Sequence, residues 1–279
     1  MGSAADIGCE AGRVSGISGR ACAVDDVSLW WRLDGDGPAV VLLPGRGDSS
    51  DLFPSEFTDL LIASGLGVLR HDPRDTGLSD DGGNTYRLSE MASDVMTICD
   101  AAGLDRFHVV AVSMGGMVTV DLAVRHPRRV ASLAFIAAMS PDPAAGIGEA
   151  FFDGIDADPI LGTLAAMGSP AADDRVWVEA QLQAARSRAP ERPSAGIRHQ
   201  EAAFRLGWRE LDDLGRLTMP ALVVHGTADR VLPIGHAHAL AAGIEDAALH
   251  VLDGMGHLPT RAEWIQLAGL VADFTMHTD

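Results

Sequence analysis

The chain has 279 residues, 47% hydrophobic and 22% charged, which allows one large or two small domains whose core needs no disulfide or metal staple. Formal net charge is −18, and every basic residue is arginine, with no lysine anywhere. That balance excludes nucleic acid and anionic membrane as natural partners, and the lack of lysine excludes Walker-type phosphate loops, pyridoxal Schiff bases and lysine general bases.

Residues 1–20 are rich in Gly, Ser and Ala without periodicity and read as a flexible N-terminal arm. They lack the basic and apolar regions of a signal peptide, Asp6 stands where a myristoylation motif wants Ser or Thr, and no apolar run is long enough to cross a bilayer. Cys9, Cys22 and Cys99 are far apart and show no C-x-x-C spacing. Neither a disulfide framework nor a zinc site is expected, and a reducing, cytoplasmic setting is the natural one.

Val27–Leu33 reads as a strand, followed by a turn over Asp34–Pro38 and a fully apolar strand over Ala39–Leu43. That strand runs into Pro44-Gly45-Arg46-Gly47-Asp48. A helix is expected near 54–65, a strand over Gly67–His71 and a helix over Leu88–Ala102. The run Phe107–Val112 is a buried strand, ending at Ser113. After it come a helix, the segment His126–Arg129 and a strand near 130–138. From Ser140 to Leu217 the rhythm becomes helical, Ala-, Asp- and Pro-rich, with no convincing strand. Alternation resumes with a strand over Ala221–His225, a helix near 234–243, a strand near 248–252 and a last helix near 261–274. The pattern predicts an α/β fold with a mostly parallel central sheet flanked by helices. Its parts are a core over 21–139 and 216–279 and a helical cap, or lid, over 140–215.

The chemistry centres on Ala111-Val112-Ser113-Met114-Gly115. A strand that stops at a serine and turns at once into a helix lifts one hydroxyl clear of the backbone, and it needs small residues two before and two after. Alanine replaces the usual first glycine and keeps the space. A serine hydroxyl is a weak nucleophile; it needs a base in hydrogen-bond reach and a carboxylate to hold the base's tautomer. Asp229 follows the strand over Ala221–His225, and His257 follows the strand near 248–252, in the order serine, acid, base.

With these motifs in place, the chain resembles the α/β-hydrolase serine esterases, of the aclacinomycin methylesterase type, over roughly residues 27–275. The markers are His71–Ser79, Val112–Gly116, His225–Pro233 and Asp253–His257. The resemblance implies Ser113 as nucleophile, Asp229 as acid and His257 as base. By position, the backbone N–H groups of Arg46 and Met114 would form the oxyanion hole. Many relatives carry His-Gly where this chain has Pro44-Gly45, and the direction of the Arg46 side chain stays open.

Other residues carry plainer readings. His71 and Arg74 brace a turn, His126 and His225 end elements, and His236 and His238 do not share a helix face, so they make a poor metal pair. Asp142, between Pro141 and Pro143, is the rival for the acid role. Phe151, Phe152, Met167 and Trp177 pack the cap, and some of them face an apolar substrate. The expectation is a hydrolase needing no cofactor or metal. It would cleave a methyl ester or lactone of a bulky apolar, polyketide-like substrate. C–C bond hydrolysis with the same triad and a non-catalytic binder are the alternatives. The oligomeric state stays open, a homodimer included.

Overall fold

The computed structural model describes residues 9–14, 17–24, 27–82, 85–148, 159–189, 195–206 and 211–278. Among them, nine strands form one sheet: β1 (Cys9–Val14), β2 (Ile17–Val24), β3 (Val27–Asp34), β4 (Ala39–Leu43), β5 (Gly67–His71), β6 (Phe107–Ser113), β7 (Val130–Ala138), β8 (Ala221–Gly226) and β9 (Ala247–Leu252). The spatial order is β1-β2-β3-β5-β4-β6-β7-β8-β9. The first pairs, β1 to β2, β2 to β3 and β3 to β5, are antiparallel, and all later pairs are parallel.

The central strands β4, β6, β7 and β8 are buried almost throughout. Their nearly continuous apolar runs follow from this, because helices cover both faces of a parallel sheet. Helices α1 (Ser55–Ala63) and α8 (Arg261–Thr278) pack together over one face, with Phe57, Leu61, Trp264 and Leu267 against Val40, Val110 and Val224. Helices α2 (Leu88–Ala101), α3 (Gly115–Arg125) and α7 (Gly235–Gly243) cover the other, with Ile98, Met117, Leu122 and Leu240 against Val41, Val109, Phe135 and Val223. Cys99 lies in this second layer as a buried free thiol, pushed above its ordinary pKa by burial.

The loose arm expected over residues 1–20 contains strand β1 and the start of β2, which pairs with β3. Its small residues show no alternation, but backbone pairing to an existing edge does not require one. Cys9 and Cys22, distant in sequence, are register partners there.

Between β7 and β8 lie α4 (Pro159–Ala166), α5 (Asp174–Arg188) and α6 (Ala195–Leu206). Helices α4 and α5 are thinly packed: α4 buries none of its residues, and α5 buries only Asp174 and Val178. No helix among the described residues is long and apolar enough to cross a membrane.

Candidate active site

Strand β6 delivers Ser113 to its carboxyl end, where the backbone takes φ 54°, a left-handed conformation costly for a non-glycine residue. Helix α3 starts two residues later. It comes so close to the preceding loop that a Cβ on Gly115 would stand 2.6 Å from the Leu43 carbonyl oxygen and 2.8 Å from that of Pro44. This is the physical reason for the small residue after the serine. The loop after β4 crosses Ser113 at equally short range, since a Cβ on Gly45 would lie 3.2 Å from Ser113 Cβ. The N–H of Met114 therefore sits at the start of α3, where helical amides lack intrahelical partners, and the Arg46 amide belongs to the loop passing over the serine.

The loops after β8 and β9 bring the other two groups. His257 Nε2 lies 3.0 Å from Ser113 Oγ, and its Nδ1 lies 2.9 Å from Asp229 Oδ2. The other Asp229 oxygen accepts the backbone N–H groups of Val231 and Leu232, each at 2.8 Å. Burial opposes ionisation of Asp229. The hydrogen bond and charge of His257, with the Leu232 N–H, outweigh it and hold the carboxyl below its usual range. An ionised Asp229 accepts a hydrogen bond from Nδ1–H and so keeps the proton on that nitrogen, which leaves Nε2 to accept from the serine hydroxyl.

His225 belongs to this surrounding too. Its Nε2–H donates to the Leu232 carbonyl at 2.9 Å and lies 3.4 Å from Asp229 Oδ2. Burial lowers its pKa, so the ring stays neutral beside the acid. Asp142 is placed elsewhere: its carboxylate accepts the Ala144 N–H at 2.9 Å and caps a short 3-10 turn. His71 is buried, and Arg74 braces the turn through a two-point pair with Asp94 at 2.7 and 2.6 Å while lying over the Tyr86 ring.

A cavity of about 240 Å³ adjoins these residues. Its wall includes Leu52, Met167, Trp177, Leu182, Leu258 and Trp264, with Gly47 and Asp48 from the loop after β4. Leu258 follows His257 in the chain, so the cavity lies beside the triad, not on it. Of the cap residues singled out by sequence, Met167 and Trp177 line this cavity, and Phe151 and Phe152 lie outside the described residues. Asp75, Asp81 and His199 bring potential metal-ligand atoms within 4.8 Å of one another. The Asp75 carboxylate already accepts hydrogen bonds from Tyr86 and the Gly82 N–H.

Among the described residues, several joints tie the helical insertion to the site, none legible in the sequence. After α4, Met167 and Ala166 accept backbone hydrogen bonds from Gly256 and Leu258, on either side of His257. In α5, Arg188 pairs with Asp51 and Asp72, both at 2.8 Å, and lies over Trp30. In α6, the fully buried Gln200 accepts the Gly47 N–H at 2.6 Å and donates to the Arg74 carbonyl at 3.1 Å. The Arg46 side chain, left open by sequence, turns towards Glu201 of α6, 3.7 Å away.

Residues 38–260 match the alpha/beta hydrolase fold family. Among curated relatives, a putative carbamate hydrolase RutD of Variovorax paradoxus (strain S110) is 34% identical over 242 residues, covering 80% of this chain and 85% of its own. Rhodomycin D methylesterase DauP of Streptomyces sp. (strain C5) is 28% identical over 297 residues, covering 92% and 97%. Among solved structures, Est816, an N-acyl homoserine lactone degrading enzyme, aligns with a TM-score of 0.75 at 25% identity over 91% of this chain and 99% of its own.

Proposed function

The chain belongs to the alpha/beta hydrolase fold family, and from that premise we propose that it is a serine esterase acting on the methyl ester or lactone of a bulky apolar, polyketide-like acid. The observation that carries the proposal is the unbroken hydrogen-bond chain Ser113–His257–Asp229, at 3.0 and 2.9 Å. Its direction matches the demand of acyl transfer: hydroxyl to imidazole to carboxylate.

Ser113 Oγ attacks the ester carbonyl as His257 Nε2 takes its proton. The oxyanion is held by the Arg46 and Met114 amides; Met114 follows Ser113 at the start of α3, and Arg46 follows Gly45, which lies against Ser113, and both placements support that role. His257 then returns the proton to the alcohol, which leaves an acyl group on Ser113. Water, deprotonated by His257, releases the acid in a second addition and collapse. Asp229 keeps His257 in one tautomer and stabilises the imidazolium. No cofactor or metal enters these steps.

The cap over 140–215 supplies Met167 and Trp177 to the cavity wall, and its apolar lining supports an apolar acyl or alcohol part. The family reading alone leaves ester and C–C hydrolysis together. The test separates them. The purified protein is treated with a fluorophosphonate and assayed on an aryl methyl ester, a lactone and a vinylogous diketone. Labelling at Ser113 with turnover of the ester or lactone is expected. Labelling with cleavage of the diketone alone moves the reading to C–C hydrolysis. Neither labelling nor turnover means a non-catalytic binder.

A further inference from the structure

The cavity wall holds two carboxylates from the loop after β4, and they are in different situations. Asp51 is paired with Arg188 at 2.8 Å and accepts from Ser49 Oγ at 2.8 Å. Asp48 has no hydrogen-bond donor at its carboxylate among the described residues, and its half-buried side chain faces the cavity. It also lies close to Ser113. A Cβ at Gly45 would meet Asp48 Oδ2 at 2.9 Å and Ser113 Cβ at 3.2 Å, so the carboxylate and the nucleophile flank one small space. The charged and titratable groups facing it are His257 and Arg46, which favour its ionised form without bonding to it.

An unbonded carboxylate at the neck of a mostly apolar cavity is costly unless something donates to it. In water the donor is solvent. When a substrate fills the cavity, that water leaves and the substrate must replace it. A plain alkyl chain leaves the carboxylate unsatisfied, and a substrate carboxylate adds repulsion. A hydroxyl or ammonium supplies the missing bond.

We propose that Asp48 is a specificity-determining residue that accepts a hydrogen bond from a hydroxyl or ammonium group two or three atoms from the scissile carbonyl. The protein then favours hydroxy- or amino-substituted esters and rejects carboxylated ones. This rests on the hydrolase reading above and deepens it. Burial, which pushes the Asp48 carboxyl up to about 6, agrees with a side chain poorly served by its own protein.

The test compares kcat/KM, followed by proton release, for methyl butyrate, methyl 2-hydroxybutyrate, methyl 3-hydroxybutyrate and monomethyl succinate. At least one hydroxy ester should exceed methyl butyrate by about tenfold in the unaltered protein, the scale of a hydrogen bond to a charged group. Monomethyl succinate should fall below methyl butyrate by about as much. In Asp48→Leu the hydroxy preference should fall to about one. In the near-isosteric Asp48→Asn, the ratio of succinate to butyrate ester should rise about tenfold. These are ratios within one protein sample, so they survive a general loss of activity in either variant. Ester turnover with no hydroxy preference, or a preference unchanged in Asp48→Leu, overturns the proposal and leaves the hydrolase reading standing. No turnover of any ester overturns both.

Discussion

Gln200 of α6 and Gly47 of the loop after β4 are joined by a 2.6 Å hydrogen bond that crosses 153 residues of sequence. The Gln200 side chain is fully buried and also holds the Arg74 carbonyl, so one amide fixes two core loops from the cap. Gly47 directly follows Arg46, whose N–H is proposed as an oxyanion donor. Gln200→Leu should therefore lower kcat by about 10–100-fold, the scale of losing part of an oxyanion hole, with a smaller change in KM. Gln200→Glu, which keeps an acceptor for Gly47, should recover part of the loss. A KM effect alone in the leucine variant, or no difference between the two, would show that the joint is only structural.

Ser113→Ala should remove turnover down to the residue of about 10³–10⁴-fold over water that binding and the oxyanion hole supply. Ser113→Gly should do the same and be more stable than the alanine variant by about 1 kcal/mol, because glycine adopts φ 54° without a Cβ penalty. Urea unfolding of the two variants measures the difference. Equal stability would mean the turn carries no strain.

Asp229→Asn should cost about 10⁴ in kcat, since an amide can hold His257 in the wrong tautomer. Asp142→Asn should cost little, because that carboxylate is spent on the Ala144 N–H. Steady-state kinetics of the two variants decide the matter. A silent Asp229→Asn would remove the acid assignment.

Asp48 predicts a pH-dependent stability of definite sign. Its folded pKa is raised to about 6 from 3.8, so the folded state binds the extra proton. The contribution of Asp48 to stability then falls as pH rises from about 4 to 6 and carries its full cost above 6. Asp48→Asn removes that cost. It should be more stable than the unaltered protein at pH 7.5, by up to about 3 kcal/mol at this shift, and should lose the advantage near pH 4. Denaturant midpoints across that range check the slope. An advantage that grows on acidification contradicts it.

Thin packing of α4 and α5 predicts faster amide exchange in the cap than in β6, with Arg188 clamping the C-terminal end of α5. Arg188→Gln removes a buried cation from Asp51 and Asp72 and should increase exchange across α5 while leaving β6 protected. Cap amides as slow as those of Phe107–Val112 would refute both statements.

The sheet was legible because its determinants are local. Nearly continuous apolar runs, a serine followed by glycine at a strand end, and Asp229 and His257 after later strands all follow from chain order and period. The triad inherits this legibility, since each member sits at a fixed distance from its own strand. The arm at residues 9–24 was not legible, because small residues there gain order only by pairing with β3. Nor were Asp48, Gln200 and Arg188. Nothing in a polar residue's neighbours along the chain says whether it will face solvent, a partner loop or a cavity. Sequence alone determined the alternating α/β order and placed Ser113, Asp229 and His257 after three strands, as the proposed nucleophile, acid and base. Only the tertiary structure decided that Gln200 reaches Gly47, that Arg188 takes Asp51 and that Asp48 is left without a donor among the described residues. Those outcomes depend on which surfaces meet when the cap folds onto the core, and burial, which makes each bond or its absence matter, exists only after they have met.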